Sequence, residues 1–157
     1  MKQEIDSNKI FQTERSYPFS SAQIFSAFED PLQLAQWWGP KGFTNTFQTF
    51  EFKNNGLWEF IMHAPQGQNY INKCIFTLIE LNKKIVIKHV VQPNFTLTID
   101  LMSEGNRTKL IWTQEFDDSK VAESMRHIVI NANEENLDKL NSNLQETIGK
   151  NPTDALP

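Results

Sequence analysis

The segment Asp30-Pro31-Leu32-Gln33-Leu34-Ala35-Gln36-Trp37-Trp38-Gly39-Pro40-Lys41-Gly42-Phe43 closes a short helical pattern on two adjacent tryptophans. Asp30 suits the N-cap and Pro31 the first helical position, while Gly39-Pro40 prevents the helix from continuing. A surface helix gains little from a Trp-Trp pair, because each indole leaves a large apolar area in water. The pair therefore implies a wall or lid that closes over a core or a cavity. Trp37 and Trp38 cannot both point the same way. One is expected in the core, and Trp38 is expected at the mouth of the cavity.

Upstream of this segment, residues 9–17 alternate in polarity and predict a first strand ended by Pro18. Ser20 and Gln23 have the spacing of a capping box, and Phe19 and Ile24 that of a hydrophobic staple. Ile24, Phe25, Ala27 and Phe28 then form one apolar helical face. Downstream, the period changes to two from residue 43 to 116, with turns at Asn54-Asn55-Gly56, Pro65-Gln66-Gly67, Asn82-Lys83, Gln92-Pro93-Asn94 and Glu104-Gly105-Asn106. Six further strands follow, predicted over 43–50, 57–63, 69–81, 85–91, 95–102 and 107–116.

Asp117-Asp118-Ser119 supplies caps for a long last helix, with Val121, Met125, Ile128, Ala132, Leu137, Leu140, Leu144 and Ile148 predicted as its buried face. Such a helix of about 28 residues, roughly 40 Å long at 1.5 Å per residue, is buried only by lying across a curved sheet. The expected fold is α+β, a sheet of about seven antiparallel strands wrapped around a long C-terminal helix, with two short helices after the first strand.

A chain of 157 residues suits a single domain, here with a core at about 9–148 and a flexible tail at 149–157. The net charge of −4 with no basic stripe argues against a nucleic-acid partner. Neither a signal-peptide pattern nor a run of about 18 apolar residues is present, so no membrane span is expected and the expected location is cytoplasmic. The single Cys74 excludes an internal disulfide and a thiolate zinc cluster and is expected in the core. No metal or cofactor is expected, since the three His and one Cys show no ligand spacing. An edge strand or the last helix would allow a homodimer, although no heptad is sustained.

The order of elements resembles the helix-grip fold of the START-like (SRPBCC) superfamily. Its residues resemble the branch named after the activator of the heat-shock-protein-90 ATPase. The resemblance rests on Trp37-Trp38-Gly39-Pro40, on Trp58-Glu59-Phe60-Ile61-Met62-His63-Ala64-Pro65, on Gly67 and on Tyr70-Ile71-Asn72. His89, Phe95-Thr96-Leu97-Thr98, Thr108-Lys109-Leu110-Ile111-Trp112 and Asn133-Glu134-Glu135-Asn136-Leu137 complete it. It implies a deep, largely apolar cavity between long helix and sheet. Members bind lipids, sterols, polyketides or plant hormones, some act as cyclases, and the eponymous domain binds a chaperone. Fold alone leaves the biochemistry open.

In a regular strand, Trp58, Phe60 and Met62 share a face and His63 points opposite. Tyr70, Asn72, Cys74 and Phe76 share a face on the next strand, as do Ile85, Ile87 and His89 on the one after. Asn72 and His89 are thus polar residues on apolar faces. Either a ligand is their partner, or they bond to each other or to backbone at a sheet end. The candidate ligand-binding set is Trp38, His63, Tyr70, Asn72, His89 and Trp112. Tyr70, Asn72 and His89 would orient a polar end, with Trp38 and His63 near the entrance. No catalytic residue is assigned. Burying about 300 Å² of ligand at about 25 cal/mol per Å² contributes on the order of 7 kcal/mol before ordering costs. The expected function is binding of a small apolar or amphipathic molecule. The alternatives are a cyclase, dehydratase or hydrolase using the same cavity, and a cochaperone-like module with a chaperone partner.

Overall fold

The computed structural model of the chain describes residues 8–149. Strand β1 (Ile10–Tyr17) is followed by helices α1 (Ser21–Glu29) and α2 (Pro31–Trp37). Six strands come next: β2 (Thr44–Phe50), β3 (Gly56–His63), β4 (Asn69–Glu80), β5 (Lys84–His89), β6 (Phe95–Glu104) and β7 (Arg107–Phe116). Helix α3 (Ser119–Gly149) closes the chain's order. The strands form one antiparallel sheet in the order β1-β7-β6-β5-β4-β3-β2. Strands β1 and β2 are therefore opposite edges, and the chain between them must cross the sheet. Helices α1 and α2 make that crossing and cover part of the inner face. The expected tail at 149–157 starts at the last residue of α3, and residues 150–157 lie outside the described residues.

Local signals place the early helices. Ser20 accepts from the Gln23 N–H at 3.1 Å, and the Gln23 side chain accepts from the Ser20 N–H at 2.9 Å, a complete capping box. Asp30 caps α2 through the Leu32 N–H at 3.0 Å. The expected face Ile24, Phe25, Ala27 and Phe28 is buried in full. Asp118 caps α3 by accepting from the Lys120 N–H at 2.7 Å.

Two expectations from periodicity need correction. Strict alternation sets Phe47 and Phe50 on opposite faces of β2. A bulge between Phe47 and Thr49 shifts the register by one, so both rings reach Trp58 and stack on each other at 5.6 Å. On α3, Ile128 was expected inside and stands 66% exposed, while Val121, Met125 and Ala132 are only half-buried. The stripe that is buried there runs through Ala122, Val129, Asn136 and Asn143, a spacing of seven. Three and a half residues per turn fall short of the helix's 3.6, so the buried line drifts around the helix as it runs. The first half of α3 accordingly packs on a separate small cluster with Phe11 and Phe116.

The main core fills the space between the inner sheet face and the second half of α3. It holds Trp37, Trp58, Phe25, Phe28, Phe60, Phe76, Ile85, Ile87, Leu137 and Leu140. Tyr17 ties β1 to the helix by donating to the Leu137 carbonyl at 2.9 Å, and burial pushes its phenol well above the usual value. Arg15 adds ion pairs to Glu134 at 2.8 Å and Asp138 at 2.9 Å.

Candidate functional site

Trp37 and Trp38 are both buried, and they part company in what they touch. Trp37 turns toward α1, where its Nε1–H donates to the Ala27 carbonyl at 3.0 Å and its ring packs on Phe28. Trp38 turns under the sheet and packs on both Trp58, edge-on at 5.1 Å between ring centroids, and Trp112, tilted at 5.7 Å. At 9% exposure it is an interior side chain rather than a rim residue. Trp58 also stacks on Phe60 at 4.2 Å and on Phe76 at 5.6 Å. The centre of the space that the resemblance implies is thus occupied by the chain's own rings.

Indole N–H groups find an acceptor when buried. Those of Trp58 and Trp112 meet none among the described residues. Asn45 Oδ1 and Asn143 Oδ1 are buried acceptors in the same position.

The loop of residues 39–43, which follows Trp38, is fastened to α3. Asn136 Oδ1 accepts from the Gly39 N–H, and Glu135 accepts from the Lys41 N–H at 3.2 Å. Lys139 Nζ donates to the carbonyls of Pro40 at 3.2 Å and Phe43 at 3.1 Å, and burial lowers its pKa. Asn45 Nδ2 holds the near side through the carbonyls of Ala35 and Trp38. Gly39 has φ +99°, and a Cβ there would stand 2.7 Å from Met62 Cε, so the loop lies hard against β3. Truncating Asn136 to Ala leaves the buried Gly39 N–H without an acceptor and is expected to cost about 1–3 kcal/mol in urea unfolding. Gln145→Ala, at an exposed position of the same helix, is the matched control and should stay within about 0.5 kcal/mol.

A second polar group lies on the inner face at the end of β4 and β5. His89 stacks on Phe95 at 4.5 Å, its Nδ1 faces the Pro93 carbonyl at 2.7 Å, and its Nε2 faces Asn72 Oδ1 at 2.7 Å. Asn72 Nδ2 donates to the Tyr70 carbonyl at 3.0 Å. Of the two readings open in the sequence, mutual and backbone bonding is therefore the one made. An imidazolium donates to both oxygens. A neutral ring that gives Nδ1–H to Pro93 requires Asn72 to turn its amide and release Tyr70. Burial opposes the second proton and is the larger effect, so the pKa of His89 lies below its ordinary value despite the pull of the Pro93 and Val91 carbonyls. The folded chain then binds this proton more weakly than the unfolded one, whose imidazole titrates near 6.5. Stability is expected to be level above about pH 6.5 and to fall as pH drops below it. Urea midpoints between pH 7 and pH 5 should show a shallower acid slope for His89→Gln, and an unchanged slope would contradict this account.

The remaining candidates are dispersed. Tyr70 belongs to the inner face by register, opposite Met62, yet is 51% exposed, with Phe43 at 6.3 Å. Trp112 is deep beside Trp38. His63 lies on the other face, where its Nδ1–H meets Asn69 Oδ1 at 2.7 Å and the Thr46 hydroxyl meets its Nε2 at 2.8 Å. It ties three strands together and does not join the interior set. The structure thus groups Trp38 with Trp112, and Tyr70 with Asn72 and His89, and leaves His63 apart. The sequence reading left out Trp58, although an indole on an apolar strand face needs a hydrogen-bond partner. It also left out Asn136, Asn143 and Gln114, which a count of polar residues along the helix and strand stripes would have found. Cys74 is buried as expected, and burial pushes its thiol up to about 12.

Residues 18–145 match the protein family described as activator of Hsp90 ATPase homolog 1-like protein. The chain belongs to that family. Solved structures similar to this activator-homologue chain include a protein of Nitrosomonas europaea, 14% identical with a TM-score of 0.82 over 92% of this chain and 99% of that one. A protein of Arthrobacter aurescens is 21% identical, with a TM-score of 0.82 over 92% and 90%. The AHSA1 protein of Silicibacter pomeroyi is 20% identical, with a TM-score of 0.71 over 88% and 99%. At these identities the likeness is one of fold, and it carries the helix-grip arrangement over nearly the whole chain. No curated protein matches the chain. Domains of this family and fold are commonly ligand-binding or cochaperone-like modules. No helix of the described residues is long and apolar enough to cross a membrane.

Proposed function

We propose that this activator-homologue domain binds one small, mostly apolar molecule at the end of the inner sheet face marked by Phe43, Met62 and Tyr70, beside the interior that the chain's own rings fill. The observation that carries this reading is Tyr70. An aromatic ring on the inner face of a gripping sheet belongs under cover, yet half of it stands in solvent beside Phe43. Its exposure beside Phe43 supports an entrance at that end. Asn72 and His89 follow Tyr70 inward, held by their bonds to each other and to the Tyr70 and Pro93 carbonyls, so the polar end of a guest would have to exchange one of those bonds. Apolar surface with a few fixed polar groups is what small-molecule sites present.

Native mass spectrometry of gently purified protein tests the reading. The expected result is a near-stoichiometric apolar adduct, or uptake of an added apolar dye, that is weakened at least tenfold in Tyr70→Ala. A clean mass together with no uptake of any apolar probe would overturn it.

A further inference from the structure

The outer face of the sheet is divided in character. On β6 and β7 its outward positions are mainly polar, with Thr96, Thr98, Asp100, Lys109, Thr113 and Glu115. On β3, β4 and β5 the outward Leu57, Ile61, Ile71, Ile75, Leu78 and Val86 are aliphatic. Register gathers these six into one strip, since Ile61 lies opposite Ile71, Leu57 opposite Ile75 and Leu78 opposite Val86. An antiparallel sheet with one face on the core ordinarily turns polar side chains out on the other. Here Ile71 stands 76% exposed, and no described residue covers it.

Charge singles out the centre of the strip. Other outward lysines of the sheet are paired: Lys84 with Asp100 at 3.3 Å, Lys88 with Asp117 at 3.0 Å and Lys109 with Glu14 at 3.8 Å. Lys73 has no ion-pair partner among the described residues, although Glu59 stands directly opposite it on β3. Glu59 accepts from the Thr49 hydroxyl at 3.0 Å and meets no cation. One unpaired cation and one unpaired anion thus lie side by side, between the Leu57–Ile75 pair and the Ile61–Ile71 pair.

We propose that this strip binds a second copy of the chain, about a two-fold axis that lies in the contact plane and runs along the sheet between β3 and β4. Such an axis sets β3 of one copy over β4 of the other at the same level. Glu59 then faces the partner's Lys73, Ile61 faces the partner's Ile71 and Leu57 faces the partner's Ile75, each contact occurring twice. An axis across the strands at the level of Glu59 would instead set carboxylate on carboxylate and ammonium on ammonium, which is unfavourable. Charge therefore selects one pairing of the two copies. The inference goes beyond the guest-binding reading and is independent of it, since the guest is assigned to the inner face.

The contact is modest in size. A curved sheet is convex outside and meets its copy along a strip. Three strands at about 4.8 Å and eight residues at about 3.3 Å give roughly 400 Å². That is about half of the roughly 800 Å² that each partner of a standard stable complex buries. The pair is accordingly a weak one, with a dissociation constant on the order of 100 µM.

Sedimentation of the full chain between about 20 µM and about 1 mM, a range that brackets this constant, tests the proposal. A monomer–dimer equilibrium is expected, and Ile71→Lys should weaken it at least tenfold. At 76% exposure that side chain contributes little to the core, and circular dichroism checks that the variant stays folded. Glu59→Lys and Lys73→Glu, studied at low salt, should each weaken self-association at least threefold. An equimolar mixture of the two should associate at least tenfold more tightly than either alone, because each then meets opposite charge. The advantage of the mixture should vanish at about 1 M salt, where charges are screened within about 3 Å.

A chain that stays monomeric up to about 1 mM overturns the proposal and leaves the strip to a different partner. A dimer that survives Ile71→Lys unchanged also overturns it, and places the contact elsewhere, such as the open edges of β1 and β2. A mixture no tighter than its components overturns the two-fold pairing of Glu59 with Lys73 and the proposal with it. None of these results bears on uptake of an apolar guest, which native mass spectrometry reads separately.

Discussion

Trp58→Ala is expected to lower the unfolding midpoint by about 10 °C or more. Removal of a fully buried tryptophan costs about 3–5 kcal/mol, and each kcal/mol shifts the midpoint by about 2–4 °C in a chain of this size. The upper part of that range applies because the cavity has no simple way to collapse. Trp58 has no exposed surface and touches Trp38, Phe47, Phe50, Phe60 and Phe76, which come from the end of α2 and from three adjacent strands. Rings fixed by four separate backbones cannot all move inward together. Trp58→Phe separates packing from polarity. It keeps most of the ring and discards an N–H that has no acceptor, so it should cost less than half as much as the alanine variant. Thermal unfolding followed by circular dichroism measures both. A Trp58→Ala protein within about 1 kcal/mol of wild type would show that the aromatic interior is not close-packed.

Gly56→Ala should be nearly as damaging, by the opposite mechanism. A Cβ built at Gly56 falls 1.9 Å from the Glu51 carbonyl oxygen and 2.9 Å from the Lys53 oxygen. These are backbone atoms of a turn held by the Gly56 N–H to Lys53 and the Glu51 N–H to Leu57, both at 2.8 Å, so no side-chain rotation can clear the overlap. The turn must move as a body, and Phe50 and Phe52 on its approach lose their fit against Phe76. Overpacking that shifts backbone costs about 1–3 kcal/mol and occasionally more, and a 1.9 Å approach to a carbonyl oxygen belongs at the upper end. Gly67→Ala is the informative contrast. Gly67 has φ +103° with nothing within 4 Å of the added methyl, so that variant bears only backbone strain of about 1–2 kcal/mol. Urea midpoints should place Gly56→Ala clearly below Gly67→Ala, and the reverse order would refute the steric account.

What was legible in the sequence was local or strictly periodic. The capping box of Ser20 and Gln23, the Asp30-Pro31 start and the Asn54-Asn55-Gly56 turn each act within a few residues, and each is found where it was expected. Strand faces followed from alternation, which is why Trp58, Cys74 and His89 were placed on the buried faces correctly. Alternation fails where one extra residue enters a strand. Nothing in Phe47-Gln48-Thr49-Phe50 announces the bulge, because it answers the curvature demanded by the rings beneath it. Helical spacing failed at Ile128 for a related reason, since the partner surface of α3 changes halfway along. The site was less legible than the fold. Whether His89 and Asn72 bond to one another or to a guest depends on a register between strands that no local pattern encodes. Trp38 looked like a rim residue because it follows a helix end. Its depth is set by Asn136 and Lys139, roughly a hundred positions later in the chain.

The fastening of residues 39–43 to α3 also has a consequence for time. Three residues within about one turn of α3, Glu135, Asn136 and Lys139, hold the strap through four hydrogen bonds, so its release requires those bonds to break together. A guest that must wait for this event cannot be hurried by raising its concentration. Its observed association rate climbs at first and then levels off at the opening frequency, and its apparent affinity is reduced by the fraction of molecules in which the strap is closed. Asn136→Ala would raise that ceiling without touching the guest. In the proposed reading, the same residue that steadies the fold would set the clock for entry.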